Sequence, residues 1–231
     1  MKHTAYRVFL LIAFLQVASC GGNPRDPDPN RFSRAIARFA EQDSAAVSLS
    51  VPVVFTGSSS IGGWDLDTFF PDLHPLNRGF GGSQISDVNY FVDRVVLKYR
   101  PSVVVFYAGE NDIHAGKRPE RVVADFRAFV DTVHAVLPDT DILYLPMKPS
   151  PSRLHLWPDM EAGNEQIETL CGNTPHLECL DTATPMLRSD GRPRPEIFGQ
   201  DSLHMNSTGY TIWSDLVRPE VYRLLERSSV E

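Results

Sequence analysis

From residue 33 onward, short β-branched or apolar runs alternate with segments whose apolar residues recur at helical spacing, and few folds accept that alternation. Strands are expected at residues 51–56, near Leu76, at 103–108, at 142–145 and, more weakly, at 177–180. The first, third and fourth runs lack polar alternation, as strands buried on both faces do. Between them, Ile85, Val88, Val92 and Val95 repeat at helical spacing, and so do Val122, Phe126, Phe129, Val133 and Val136. A last helix is expected after Asn206, carrying Tyr210, Trp213, Leu216 and Val217, with Pro219 kinking or dividing it. The pattern predicts an α/β domain, a parallel sheet with helices on both faces. The apolar stripes, with Trp64, Trp157 and Trp213, read as core packing rather than as a binding groove.

At 42% hydrophobic residues the chain can bury one core of about 200 residues, and no repeat or second domain shows in it. A formal net charge of −7 offers no basic field for a polyphosphate backbone, which excludes nucleic acid as an expected partner. The N-terminus has its own pattern. Lys2 and Arg7 precede a run that is apolar from Val8 to Val17 apart from Gln16, too short to span a bilayer, and Ala18-Ser19-Cys20 follow. This reads as an export signal over residues 1–19, and the small residues before Cys20 resemble a bacterial lipobox. Cys20 would then carry a diacylglyceryl anchor, residues 20–32 a flexible tether, and residues 33–231 the catalytic or binding domain. An ordinary signal peptide beside an incidental Cys20 is the alternative. Either reading expects an exported protein, and the first a bacterial lipoprotein facing the periplasm or cell exterior. In such a compartment Cys171 and Cys179 are candidates for a disulfide, or remain two separate thiols.

In an open sheet of this kind ligands sit beyond the carboxyl ends of the strands. There the chain places Thr56-Gly57-Ser58-Ser59-Ser60 after the first strand, Asn77-Arg78-Gly79-Phe80-Gly81-Gly82-Ser83 after the second, and Gly109-Glu110-Asn111-Asp112 after the third. Asp201-Ser202-Leu203-His204 stands ahead of the last helix. Taken singly, each has a structural explanation: glycine-rich turns connect strands to helices, and an isolated D-x-x-H is a helix-entry carboxylate with a surface histidine. Neither glycine loop carries a phosphate-cradling pattern. The other histidines (His3, His74, His114, His134, His155, His176) are scattered, without metal-ligand spacing, so no metal is expected.

The four segments together, in the order serine, glycine, asparagine, histidine, resemble the SGNH hydrolase superfamily, which includes the GDSL esterases and lipases. Phe55-Thr56-Gly57-Ser58-Ser59 is similar to the family's F-x-G-D-S block, Asn77 to Gly82 to its second block, Gly109 to Asp112 to G-x-N-D, and Asp201 to His204 to D-x-x-H. The family aspartate before the nucleophile is Ser58 here, as in branches with a G-S-S first block. The register points to Ser59, with Ser58 and Ser60 as alternatives. The resemblance implies a three-layer α/β/α sandwich around a mainly five-stranded, flavodoxin-like parallel sheet.

It also implies a serine esterase acting on a small-molecule carboxylic ester, lipid-like, an acetylated sugar or another, without cofactor. Serine is a weak nucleophile, and histidine is the side chain that exchanges protons near neutral pH, so Ser59 would attack with His204 as base and Asp201 orienting the ring. The Ser59 and Gly82 N–H groups and the Asn111 amide would form the oxyanion hole. Gly82 is expected because a Cβ would obstruct the substrate. A carbohydrate deacetylase or acyltransferase shares this residue set, and a non-catalytic surface lipoprotein using the fold to bind is the rival outside enzymes. Residues 148–153, Lys-Pro-Ser-Pro-Ser-Arg, read either as a proline-stiffened loop or as a wall on the substrate side.

Overall fold

The computed structural model describes residues 26–44 and 52–228; the expected signal segment and Cys20 lie outside them. Five strands form where five were expected: β1 (Val53–Gly57), β2 (Leu76–Gly79), β3 (Val103–Tyr107), β4 (Asp141–Tyr144) and β5 (Leu177–Cys179). All pair in parallel, in the order β2-β1-β3-β4-β5. The chain lays β2 outside β1 and returns past it to β3, so the order reverses between β1 and β3. That switch point opens a crevice at their carboxyl ends.

The helices are α1 (Ser33–Ser44), α2 (Ser59–Gly62), α3 (Leu66–Phe69), α4 (Ile85–Tyr90), α5 (Val92–Val95), α6 (Glu110–His114), α7 (Pro119–Val136), α8 (Trp157–Cys171) and α9 (Ser207–Ser228). Alternate residues of β3 bury opposite faces, as the two-residue strand period requires. Val104 and Phe106 pack with Ile36, Val88, Phe126, Phe129 and Ile167 from α1, α4, α7 and α8. Val103, Val105 and Tyr107 pack with Ile61, Leu66, Trp213 and Val217 from α2, α3 and α9. The result is a three-layer α/β/α sandwich. Trp64 and Trp213 are buried in the second core, and Trp157 packs at the edge of the first.

Several expectations need correction. The stripe from Ile85 to Val95 belongs to two short helices that part at Phe91, yet all four residues are buried. An apolar period specifies a face, and a break in the backbone can leave that face intact. Val136, counted in the α7 stripe, is 50% exposed in the last turn. Helix α9 runs through Pro219 undivided. Asp215, whose carbonyl loses its helical donor there, is exposed, so water can serve it, while Val217, Val221 and Leu224 hold both halves to the sheet. The described part of the expected tether, residues 26–32, is docked: Asp26 pairs with Lys117 (2.8 Å) and Arg121 (2.6 Å), Arg31 with Asp87 (2.6 Å), and Phe32 packs edge-on to Phe80. Its polar, proline-rich composition suggested freedom because the partners lie far along the chain.

Cys171 at the end of α8 and Cys179 in β5 are joined as a disulfide, the first of the two alternatives their spacing left open.

Candidate active site

Gly57 ends β1 at φ 133°, and a Cβ there would stand 1.8 Å from the Tyr107 carbonyl oxygen, so only glycine permits the turn into α2. The turn is then pinned. Ser58 donates its N–H to that carbonyl (2.9 Å), while the Gly57 carbonyl accepts from Phe80 N–H (2.9 Å) and Ser83 Oγ (3.2 Å). The Asn77 amide, inside β2 rather than after it as the sequence suggested, donates to the carbonyls of Ile61 (2.7 Å) and Trp64 (3.2 Å), tying that strand to the end of α2 and the turn beyond it. Ser58 and Ser60 point into protein, both buried, and Ser59 alone of the three faces the crevice half-exposed.

The histidine arrives on a loop built mostly from its own bonds. An antiparallel bridge joins Phe198 to Met205, Gly199 N–H meets the His204 carbonyl (2.8 Å), and Ser202 takes a left-handed φ of 55° to close the turn. Asp201 Oδ1 accepts the N–H groups of Leu203 and His204 (3.0 Å each), and its Oδ2 lies 2.6 Å from His204 Nδ1. Nε2 lies 2.9 Å from Ser59 Oγ. A proton on Nδ1 directed at Asp201 leaves Nε2 as acceptor for the serine hydroxyl. The hydrogen bond with His204, aided by the two N–H groups, holds the Asp201 carboxyl well below its usual range.

Opposite stands Asn111 in the first turn of α6. Its Nδ2 donates one hydrogen to the Ser83 carbonyl (3.0 Å), and its Oδ1 accepts from Arg153 (3.1 Å). These two bonds fix the amide's orientation and leave its second N–H to donate elsewhere. Ser59 N–H, at the start of α2, and Gly82 N–H make no backbone hydrogen bond among the described residues. Gly82 has φ 82°, a left-handed backbone that by itself favours glycine, and no protein atom lies within 4 Å of where a Cβ would stand.

Glu110, next to Asn111 in sequence, is held by partners that the motifs did not reveal. Lys148 donates to Glu110 (2.6 Å), Tyr107 donates to the same carboxylate oxygen, and all three side chains are buried. Burial and the neighbouring Glu110 push the Tyr107 hydroxyl well above its usual value, so it stays a donor. Residues 148–153 thus hold the first two residues of α6, Glu110 through Lys148 and Asn111 through Arg153. The only signal for this in sequence was a lysine and an arginine bracketing a proline-rich turn. Asp112 faces away from the crevice, accepting Ile85 N–H (3.1 Å) and the Lys117 ammonium (2.9 Å). Lys117 also serves Asp26 and Asp125. Burial, only partly offset by this shared ammonium, pushes the Asp112 carboxyl up to about 6, while the surrounding carboxylates hold Lys117 above its usual value.

The arrangement offers an oxygen nucleophile, an adjacent base with its orienting carboxylate, and uncharged donors across the crevice. Among the described residues no group of three His, Cys, Asp or Glu side chains is disposed to hold a metal ion, and no helix is long and apolar enough to cross a membrane.

The sequence pattern of the GDSL-like lipase/acylhydrolase family matches residues 66–212, which span Gly82, Asn111, Asp201 and His204 and begin just after Ser59. No curated protein sequence matches the chain. Similar solved structures include a protein assigned as an acylhydrolase from Bacteroides fragilis NCTC 9343, 21% identical, covering 87% of this chain and 100% of that one with a TM-score of 0.72. A GDSL-like lipase from Bacteroides thetaiotaomicron VPI-5482 is 19% identical, with coverage of 81% and 97% and a TM-score of 0.72. A mutant of an acetyl-xylooligosaccharide esterase from Geobacillus Stearmophilus is 15% identical, with coverage of 74% and 94% and a TM-score of 0.60. The chain belongs to the GDSL-like lipase/acylhydrolase family of the SGNH superfamily, hydrolases that act on ester bonds.

Proposed function

We propose that the protein hydrolyses carboxylic esters through an acyl-enzyme on Ser59. The observation that carries this is the unbroken contact from Ser59 Oγ to His204 Nε2 (2.9 Å) and from His204 Nδ1 to Asp201 (2.6 Å). His204 takes the hydroxyl proton as Ser59 Oγ bonds to the ester carbonyl carbon, and Asp201 stabilises the imidazolium. The carbonyl oxygen gains the negative charge and is met by the N–H groups of Ser59 and Gly82 and by the free Nδ2 hydrogen of Asn111. Collapse of this intermediate breaks the bond to the alcohol oxygen, which receives the proton from His204. Water then gives its proton to His204 and attacks the acyl carbon, and Ser59 leaves with that proton restored. The substrate is a small ester, and the acetylated-sugar esterase among the solved relatives supports testing acetyl esters first.

The test is to treat folded protein with a fluorophosphonate probe and map the modified peptide. An adduct on Ser59 that is lost in His204→Ala is expected. Absence of any adduct at residues 58–60 would sink the reading and favour a binding role for the fold. Export and acylation of Cys20 belong to the same proposal. Mass spectrometry of the N-terminal peptide from membranes of an expressing bacterium should find diacylglyceryl-modified Cys20, and an unmodified residue 20 there would refute the anchor.

A further inference from the structure

A groove of about 670 Å³ runs from Ser59, Gly62 and Gly81 to the outer face of α1 and the turn before it. That volume falls within the usual range for small-ligand sites. Arg34 and Arg38, four residues apart on one stripe of α1, line it together with Arg31 from the 3-10 turn before that helix. Arg31 is occupied by Asp87 (2.6 Å). Arg34 and Arg38 are exposed and pair with no carboxylate among the described residues, although the chain as a whole carries a net charge of −7. Phe32 and Phe80 in edge contact (5.0 Å), with Phe39 under the Arg78 guanidinium (4.9 Å), add apolar surface to the same lining.

Two unpaired guanidiniums one helical turn apart, sharing a groove with the nucleophile, present a forked donor array suited to carboxylate or phosphate oxygens. We infer that the site selects esters bearing a negative charge, a carboxylate or phosphate elsewhere on the molecule, which seats on Arg34 and Arg38 while the ester carbonyl lies at Ser59. This rests on the Ser59 reading and adds the substrate's charge to it. The anionic group takes no part in bond making. It lowers the cost of bringing an anion to an acidic protein and orients the ester along the groove.

The test uses matched pairs: monoacetylated glycerol 3-phosphate against monoacetylglycerol, acetylated glucuronate against acetylated glucose, and fluorophosphonates with carboxylate or neutral tails. In at least one ester pair, kcat/KM should favour the anionic member by about tenfold, the scale of two partly exposed ion pairs, and the preference should weaken as salt is raised. The pair that responds separates phosphate from carboxylate. In the Arg34→Gln/Arg38→Gln protein the anionic-to-neutral ratio should fall toward one, and in Arg34→Glu/Arg38→Glu it should invert. Labelling by the two probes should follow the same order, which tests the groove even without turnover. Equal ratios in the unaltered protein, with the neutral probe still labelling Ser59, would overturn this inference and leave the esterase reading standing. Failure of both probes to label would bring down both. Equal ratios together with arginine-dependent sedimentation on anionic phospholipid vesicles would reassign the stripe to a membrane surface and likewise overturn it.

Discussion

Asn111 is held by a guanidinium from Arg153 and follows Glu110, buried in its pair with Lys148, whereas His204 and Asp201 hold each other at the surface, 45% and 52% exposed. The first arm draws its rigidity from charges 38 and 42 residues away in sequence, the second from hydrogen bonds within a few residues of Asp201. The difference follows from what each arm must do. A donor that meets developing charge contributes most when it is already oriented in a site that water does not fill. A base that takes and returns protons needs reach and contact with solvent. Damage to the first arm should therefore cost stability as well as rate, and damage to the second should cost mainly rate.

The largest effect expected is in the exposed arm. His204→Ala should lower kcat on an acetyl ester by about 10⁴-fold or more, with a much smaller change in the urea midpoint than Lys148→Ala gives. A midpoint shift as large as that of Lys148→Ala would mean that the loop also supports the fold. Lys148→Ala should behave in the opposite way, since it leaves buried Glu110 without its hydrogen-bonded cation and with only Arg153, 3.9 Å away, as counter-charge. Chemical denaturation should report about 3–5 kcal/mol lost, and a loss below about 1 kcal/mol would show the pair to be dispensable. Asn111→Ala should cost about 2.7–4 kcal/mol of transition-state stabilisation, read as a fall of about 10²–10³ in kcat. An unchanged kcat would remove Asn111 from the oxyanion hole.

Reducing the disulfide between Cys171 and Cys179 provides a reference remote from both arms. Closing so short a loop constrains the unfolded chain by about 2–3 kcal/mol. That loss should appear in denaturation while Ser59 labelling under native conditions keeps its rate. The smallest effect expected is in pH dependence. The Asp201 carboxyl is held lower in the fold than in the unfolded chain, so the unfolded state binds more protons across that range. Its contribution to stability is complete above about pH 4 and is lost as acid titrates the native carboxylate. In mild acid Asp201 therefore keeps its charge and its hold on His204 Nδ1. Asp201→Asn should remove this acid-side loss of stability and slow Ser59 labelling at neutral pH. An unchanged labelling rate would separate Asp201 from the base.

By itself the sequence determined the α/β class, the five strand positions and the segments beyond them where Ser59, Gly82 and Asn111 follow β1, β2 and β3 and Asp201 and His204 precede α9. These are matters of short-range pattern: a strand buried on both faces is a continuous apolar run, a helix face is a period, and the reversal of a parallel sheet turns particular loops toward one crevice. Tertiary structure decided whatever depends on charges meeting across distance. Lys148 under Glu110, Arg153 on Asn111 and Asp26 clasping Lys117 and Arg121 have no local signature, because a lysine or aspartate in a loop looks the same in sequence whether it is solvated or buried in a pair. The same holds for Arg34 and Arg38, whose helical spacing is legible but whose place beside Ser59 exists only once α1 lies against the loop after β2.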